Sequence, residues 1–308
     1  MNSLISFLFA TLTFATLLLA EEGFNFITIG DWGRTRTAGV PNKQDDVARQ
    51  MDVWARENNA EFVLTLGDNF YPDGVFSADD EQFETKWRNV YLNPYPSLRV
   101  EWKISLGNHD HRVFTGHYQV EFGKTEPLWE LPSFNYTFTK TFGDTSVFFV
   151  VVDSDSLYWL VNDTLNEQVS WLDETLEQAS ADWVIVAAHH PVYSSGHHGS
   201  DFGMIDDVRP ILLKHNVDFY LAGHEHDLQH LNGPPGDSIE YVISGGGGAS
   251  ARPQNEIAVE DLKDMNVTQK MFNSINGFTG IKVKQNSITV EYVDLEGTMF
   301  YSFTKYKN

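Results

Sequence analysis

Five short polar clusters punctuate this chain: Gly30-Asp31, Gly67-Asp68-Asn69-Phe70-Tyr71, Gly107-Asn108-His109-Asp110, His189-His190-Pro191 and Gly223-His224-Glu225-His226. Their carboxylates, phenol, amide and imidazoles are hard-oxygen and borderline-nitrogen donors, a set that suits a pair of catalytic metal ions. Seven of the eleven histidines fall in or beside these clusters, counting His197 and His198 just past the fourth. Cysteine is absent, which excludes thiolate ligands and a cysteine nucleophile. Singly, each cluster has an ordinary reading. Gly-Asp after a strand is a turn or a helix cap, His-Glu-His is a solvated loop, and a lone tyrosine is core. Five clusters with complementary donors read better as one site.

The elements before the clusters explain how they could meet. Apolar, β-branched and aromatic runs recur at Phe24–Ile29, Phe62–Leu66, Trp102–Leu106, Val147–Val152, Trp183–Ala188, Asp218–Ala222 and Glu240–Ser244. Most are nearly continuous, as in strands covered on both faces. Five of these strands end in a cluster, and ligands of α/β sheets bind beyond the carboxyl ends of strands. Helical spacing lies between them: Val47, Met51 and Trp54; Phe83, Trp87 and Val90; Val169, Leu172, Leu176 and Ala179; and Val208–Lys214 with Pro210 in its first turn. Gly277–Tyr306 alternates, with turns at Asn286-Ser287 and Glu296-Gly297, and reads as antiparallel strands. The predicted fold is α/β, with two packed mixed β-sheets flanked by helices. Gly245–Gly248 reads as backbone packed closely against the cluster loops in preference to a flexible loop, and most of the eight tryptophans read as core.

The 308 residues, 42% hydrophobic, suffice for one large core. Residues 1–20 are uncharged and apolar and end before Glu21 and Glu22, so a signal peptide cut after Ala20 is expected, with an uncleaved anchor as the alternative. Sequons at Asn135, Asn162 and Asn266 then point to an exported glycoprotein. A formal net charge of −22 argues against nucleic acid or an anionic membrane as partner. A phosphate ester would have to be attracted locally, against that field, which again points to metal.

The ordered pattern Gly-Asp, Gly-Asp-x-x-Tyr, Gly-Asn-His-Asp, His-x-Pro and Gly-His-x-His resembles the purple acid phosphatases of the calcineurin-like metallophosphoesterase superfamily, in their small, single-domain, tartrate-resistant form. The resemblance implies an α/β/β/α sandwich over residues 21–308. It implies Fe(III) held by Asp31, Asp68, Tyr71 and His226, and a divalent ion, Fe(II), Zn(II) or Mn(II), held by Asp68, Asn108, His189 and His224. The implied activity is that of a secreted acid phosphatase, hydrolysing phosphate monoesters by direct attack of a metal-bound hydroxide. His109 and His198 are the implied catalytic imidazoles, with His197 as the competitor to His198. His190 stands where this family often has an aromatic residue, and Asp110 either orients His109 or supports its loop. Expected substrates are small phosphate monoesters or phosphoproteins, and the expected state is a monomer outside the cell or in a lysosome- or vacuole-like compartment. Two departures stand out: Ser154–Asp182 has no Lys or Arg where mammalian members carry a cleavable basic loop, and the disulfide of relatives is missing. The alternatives are a non-purple di-metal phosphodiesterase, which would carry His in place of Tyr71, and an inactive binding glycoprotein.

Overall fold

The computed structural model describes residues 23–34, 43–159 and 162–307, apart from the side chains of 157–159 and 162–166. The expected signal segment and the Asn162 side chain lie outside these. Fourteen strands follow in order: β1 (Gly23–Ile29), β2 (Ala60–Thr65), β3 (Glu101–Lys103), β4 (Trp129–Glu130), β5 (Tyr136–Phe142), β6 (Thr145–Val151), β7 (Trp183–Ala187), β8 (Phe219–Ala222), β9 (Leu228–Asn232), β10 (Glu240–Ser244), β11 (Thr268–Asn273), β12 (Gly277–Lys284), β13 (Ser287–Asp294) and β14 (Met299–Tyr306). They form two seven-stranded sheets, ordered β14-β13-β12-β1-β2-β3-β4 and β11-β9-β10-β8-β7-β6-β5.

Both sheets are mixed, and in each the central strands are parallel: β1 with β2 and β3, and β6 with β7, β8 and β10. The sheets meet across an aromatic layer in which Phe149 of the second stands edge-on to Phe26 (5.5 Å) and Phe62 (5.7 Å) of the first. Outer faces are covered by helices. Val47, Met51 and Trp54 of Lys43–Asn58 are buried against the first sheet. Leu172 and Leu176 of Asn162–Glu177, with Ile211 and Leu212 of Arg209–Lys214, join the core on the second. Burial on both faces is why these strands read as unbroken apolar runs rather than alternating ones. Among the described residues, no helix is long and apolar enough to cross a membrane.

Some elements differ from their sequence reading. The run Trp102–Leu106 is strand only through Lys103, and its remainder is extended chain leading to Gly107. Phe83–Leu92 is helical as expected but wound as a π-helix, and the Asn93 amide after it bonds back to Arg88 O at 2.7 Å. Strands β4, β5, β9 and β11 were not foreseen. β5 alternates buried and outward residues at a sheet edge, with Thr137, Thr139 and Thr141 on one side.

Near the carboxyl ends of β1 and β10 the two sheets are fastened together. Gly30 N donates to Ser244 O at 2.7 Å, Ser244 Oγ to Thr28 O at 3.1 Å, and Gly247 N to Gly30 O at 3.0 Å. A Cβ on Gly245 would fall 1.9 Å from Glu225 O and 2.7 Å from Asp31 Oδ2. The expected close backbone packing of Gly245–Gly248 is therefore real, and only glycine fits at 245.

Candidate metal centre

Loops following β1, β2, β3, β7 and β8 converge on one point at the carboxyl edges of both sheets. They bring together all seven residues read from the sequence as ligands. On one side the Tyr71 hydroxyl lies 2.9 Å from Asp31 Oδ1 and 3.2 Å from His226 Nε2, and His226 Nε2 is 3.5 Å from Asp31 Oδ1. On the other, His189 Nε2 lies 3.1 Å from Asn108 Oδ1, 3.2 Å from His224 Nδ1 and 3.4 Å from Asp68 Oδ1. Asp68 belongs to both groups, since its carboxylate also interacts with the Tyr71 hydroxyl.

The backbone is bent to achieve this. Asp31, Asp68 and His224 have φ of 59°, 54° and 69°, in the left-handed region that costs a non-glycine residue about 1–3 kcal/mol. Local bonds hold those bends. His224 N donates to Asp31 Oδ2 at 2.8 Å, which clamps one sheet's loop to the other's, and His109 N donates to Asp68 Oδ1 at 2.9 Å. Gly67, at φ 84°, clears the His189 ring, where a Cβ would lie 2.6 Å from Nδ1.

The donor set fits metal ions. A carbonyl only accepts, so His189 Nδ1 donates to Leu66 O (2.8 Å) and His226 Nδ1 to Ser250 O (3.2 Å). Each Nε2 then presents a lone pair, the tautomer that second partners impose on metal-binding histidines. His189 Nε2 faces two further acceptors, with His224 Nδ1 as the one group able to donate. Such crowding of lone pairs is what a cation relieves. The electrostatics agree. Burial, then the Asp68 charge, push the Asp31 carboxyl well above its usual range. Burial opposes ionisation of Asp68 too, but positive charge on His189 and His109 whenever those rings are protonated, with the Tyr71 hydroxyl and the His109 amide, holds that carboxyl low. Burial, with Asp31 and Asp68 close by, pushes the Tyr71 phenol far up, so that only a strong Lewis acid would make it a phenolate. Burial, then Arg252, push His226 down to about 3.

Residues 24–228 match the family model of the calcineurin-like phosphoesterases. This chain belongs to that family. It is 32% identical to human tartrate-resistant acid phosphatase type 5 over 308 residues, spanning 92% of this chain and 90% of the relative. It is 30% identical to purple acid phosphatase 7 of Arabidopsis thaliana, spanning 92% and 86%. Two solved structures share the fold. One is GAP50, the anchor in the inner membrane complex of Plasmodium (TM-score 0.80, 20% identical, 93% of this chain and 89% of that one). The other is purple acid phosphatase PPD1 of yellow lupin (TM-score 0.68, 17% identical, 92% and 54%). Membership implies a dinuclear metal centre, and the observed donors are of the kind that would hold one.

Around this phosphoesterase's centre, His109 and His198 occupy different positions. The His109 ring lies against Tyr71 (centroids 4.1 Å apart), its Nδ1 bonds Pro72 O, and its Nε2 is 3.9 Å from Asp68 Oδ2. His198 stacks on His224 at 4.3 Å, with Nδ1 3.4 Å from Glu225 Oε2 and its side chain 39% exposed. His197 is exposed and touches His198 edge-on. His190 stands in the imidazole cluster: single ring nitrogens of His189, His190 and His224 lie within 4.8 Å of one another, and its Nδ1 bonds Ser154 Oγ at 2.9 Å. Asp110 braces loops. Its carboxylate accepts from the backbone of Gly107, Asn69 and Phe70 and from Gln119, and burial, then Asp68, push it up to about 6.

Sequence reasoning missed three residues here. Glu225, given no role between the two histidines of its cluster, is fully buried, and its Oε1 accepts from His198 N (2.8 Å) and Gly199 N (3.0 Å). Arg34 and Arg252 border the same cleft as Tyr71, His109 and His226, a space of about 500 Å³. No local motif marks either arginine. The one available signal was that Arg34 follows the Gly30-Asp31 cluster and Arg252 the Gly245–Gly248 run, cations beside segments already read as close to the site in a strongly acidic chain.

Proposed function

We propose that this chain is an exported, single-domain acid phosphatase that hydrolyses phosphate monoesters at a centre of Fe(III) and a divalent ion, Fe(II), Zn(II) or Mn(II). The observation that carries this is the division of donors: phenol, carboxylate and one imidazole at one end, amide and two imidazoles at the other, one carboxylate between. On this reading Asp31, Tyr71 and His226 hold the trivalent ion, Asn108, His189 and His224 the divalent one, and Asp68 both. When bound, the two ions supply Lewis acidity, acidifying water and drawing charge from the phosphoryl oxygens.

The chain's own residues do the rest. Asp31, Asp68 and an ionised Tyr71 bring three negative charges against five positive from the ions. The site is thus locally positive within a protein of formal charge −22. Leu66 O and Ser250 O keep His189 and His226 in the donor tautomer and fix their ring planes. As imidazoliums, His109, which lies against Tyr71, and His198, which stacks on His224, would donate to phosphoryl oxygens or protonate the departing alkoxide. Substrates are small phosphate monoesters or phosphoproteins, acted on by a monomer outside the cell or in a lysosome- or vacuole-like compartment. The exposed Asn266 sequon and the apolar leading segment support export.

Metal quantitation and a visible spectrum of the purified protein test this, read beside p-nitrophenyl phosphate hydrolysis against pH. Two ions per chain, an iron-dependent visible band and turnover at acidic pH are expected. A metal-replete protein with no turnover, or an active one with no iron, would overturn the proposal.

A further inference from the structure

Basic residues are outnumbered in this chain, 21 to 43, so a half-buried arginine without a carboxylate partner is unusual. Among the described residues, Arg34 and Arg252 are two such. Arg34 Nη1 donates to Ser250 Oγ, and Arg252 Nη1 lies 3.0 Å from His198 Nε2. No carboxylate among those residues comes within 4.0 Å of either guanidinium. By contrast, Arg88, Arg112 and Arg209 are each paired with an acid. Both arginines border the cleft that also exposes Tyr71, His109 and His226. Arg252 is held there by its backbone, since its N donates to His226 O at 3.2 Å while His226 Nδ1 donates to Ser250 O.

We infer that Arg34 and Arg252 bind a second phosphate group on the substrate, so that the favoured substrates are those whose leaving group carries a phosphate of its own. The inference rests on the phosphatase reading and adds its specificity. Partial burial of a guanidinium with no carboxylate within 4.0 Å costs desolvation, which an arriving anion offsets more fully than the Ser250 and His198 contacts or the more distant Asp227 charge that acts on Arg252. The planar fork of arginine matches phosphate oxygens in pairs. Two cations suit a group carrying up to two negative charges better than a carboxylate carrying one. A polyanionic substrate is repelled by this protein as a whole, and two cations on the cleft wall offset that repulsion where it matters. With pyrophosphate as substrate, the oxygen of water joins one phosphorus. The bond from that phosphorus to the bridging oxygen breaks with its electron pair on the oxygen, and two orthophosphate ions leave, sharing water's hydrogens.

The test uses the metal-loaded full chain and the variants Arg34→Gln, Arg252→Gln and both together. Three substrates are compared: pyrophosphate (second phosphate), O-phosphoserine (second carboxylate) and p-nitrophenyl phosphate (no second anion). The double variant should lose about ten- to hundredfold more kcat/KM on pyrophosphate than on p-nitrophenyl phosphate, mainly through KM. Arg34→Gln, which leaves the His198 contact in place, should show the same selectivity on a smaller scale. By calorimetry, methylenediphosphonate should lose at least about tenfold more affinity than orthophosphate. Equal losses on all three substrates, or none, would overturn the inference, and so would the greatest loss falling on O-phosphoserine. A wild-type protein that hydrolyses none of the three would overturn the phosphatase reading and this one with it, whereas p-nitrophenyl phosphate turnover without the selective loss on pyrophosphate would overturn this one alone.

Discussion

The two ends of the centre differ in what they offer a metal ion. At the Asp31 end, a buried carboxylate and a phenol stand with a single imidazole, and the field there resists negative charge until a cation arrives. At the His189 end, an amide and two imidazoles stand together, and burial and the neighbouring imidazoles push His224 well down, keeping it a neutral donor. The first end suits a highly charged, hard ion and the second a divalent, borderline one. Asp68 is the one carboxylate common to both. An asymmetric pair of ions therefore follows from an asymmetric set of side chains, before any question of substrate.

Breaking the shared member should do the most damage. Asp68→Asn keeps the shape but removes the charge that both ends use. Metal content should fall at both positions, and turnover by about 10⁴-fold or more. Two ions per chain in that variant would show that the ends do not depend on Asp68. Next come changes confined to one end. His224→Ala or Asn108→Ala should release the divalent ion and cost about 10²–10³-fold in rate, while the iron band persists. Loss of the iron instead would mean that the two ends are assigned the wrong way round. A smaller effect separates the flanking imidazoles. His198→Ala should lower kcat about a hundredfold with both ions retained, and His197→Ala should stay within about twofold. The reverse ranking would move the catalytic role to His197.

How much of this was legible depended on whether a signal was local. The five clusters were readable because an apolar run followed by glycine and a polar donor is a pattern within a few residues, and the two-sheet fold followed from the runs themselves. β9 was not readable. Its Leu228-Gln229-His230-Leu231-Asn232 has no β-branched residue. Its buried polar side chains are satisfied largely by remote partners: Gln229 by Ser194 and Ser195 as well as the nearby Asp227, and His230 by Glu240 and Tyr301. Glu225 deceived for the same reason, because the amides that allow its burial come from the loop after Pro191. Nor does any short-range rule foretell that Asp31, Asp68 and His224 take left-handed backbones. That choice is made by the inter-loop bonds, and it is tolerated where a site needs it.

Tyr71→Phe sharpens the comparison differently. It removes one donor at the hard end and leaves the imidazole end untouched, so the visible band should vanish while turnover changes by less than about tenfold. An unchanged spectrum would mean that the phenol does not bind iron, whatever the rate.

The smallest effect concerns stability beside the imidazole end. His111 closes the short helix that begins at Asn108, and its Nε2 lies 3.1 Å from Asp153 Oδ1. Burial disfavours the imidazolium, but Asp153 outweighs it and raises His111 from 6.5 to about 9. A folded-state value above the unfolded one means that the charged pair stabilises the fold fully below pH 6.5 and is lost as pH rises through 9. A shift of that size corresponds to on the order of 3 kcal/mol, or several degrees in Tm. Against His111→Gln, which cannot titrate, the wild-type Tm advantage should be largest below pH 6.5 and should shrink steadily towards pH 9. An advantage independent of pH would mean that His111 supports Asn108 by shape alone. One that grows with pH would reverse the sign of the coupling to Asp153.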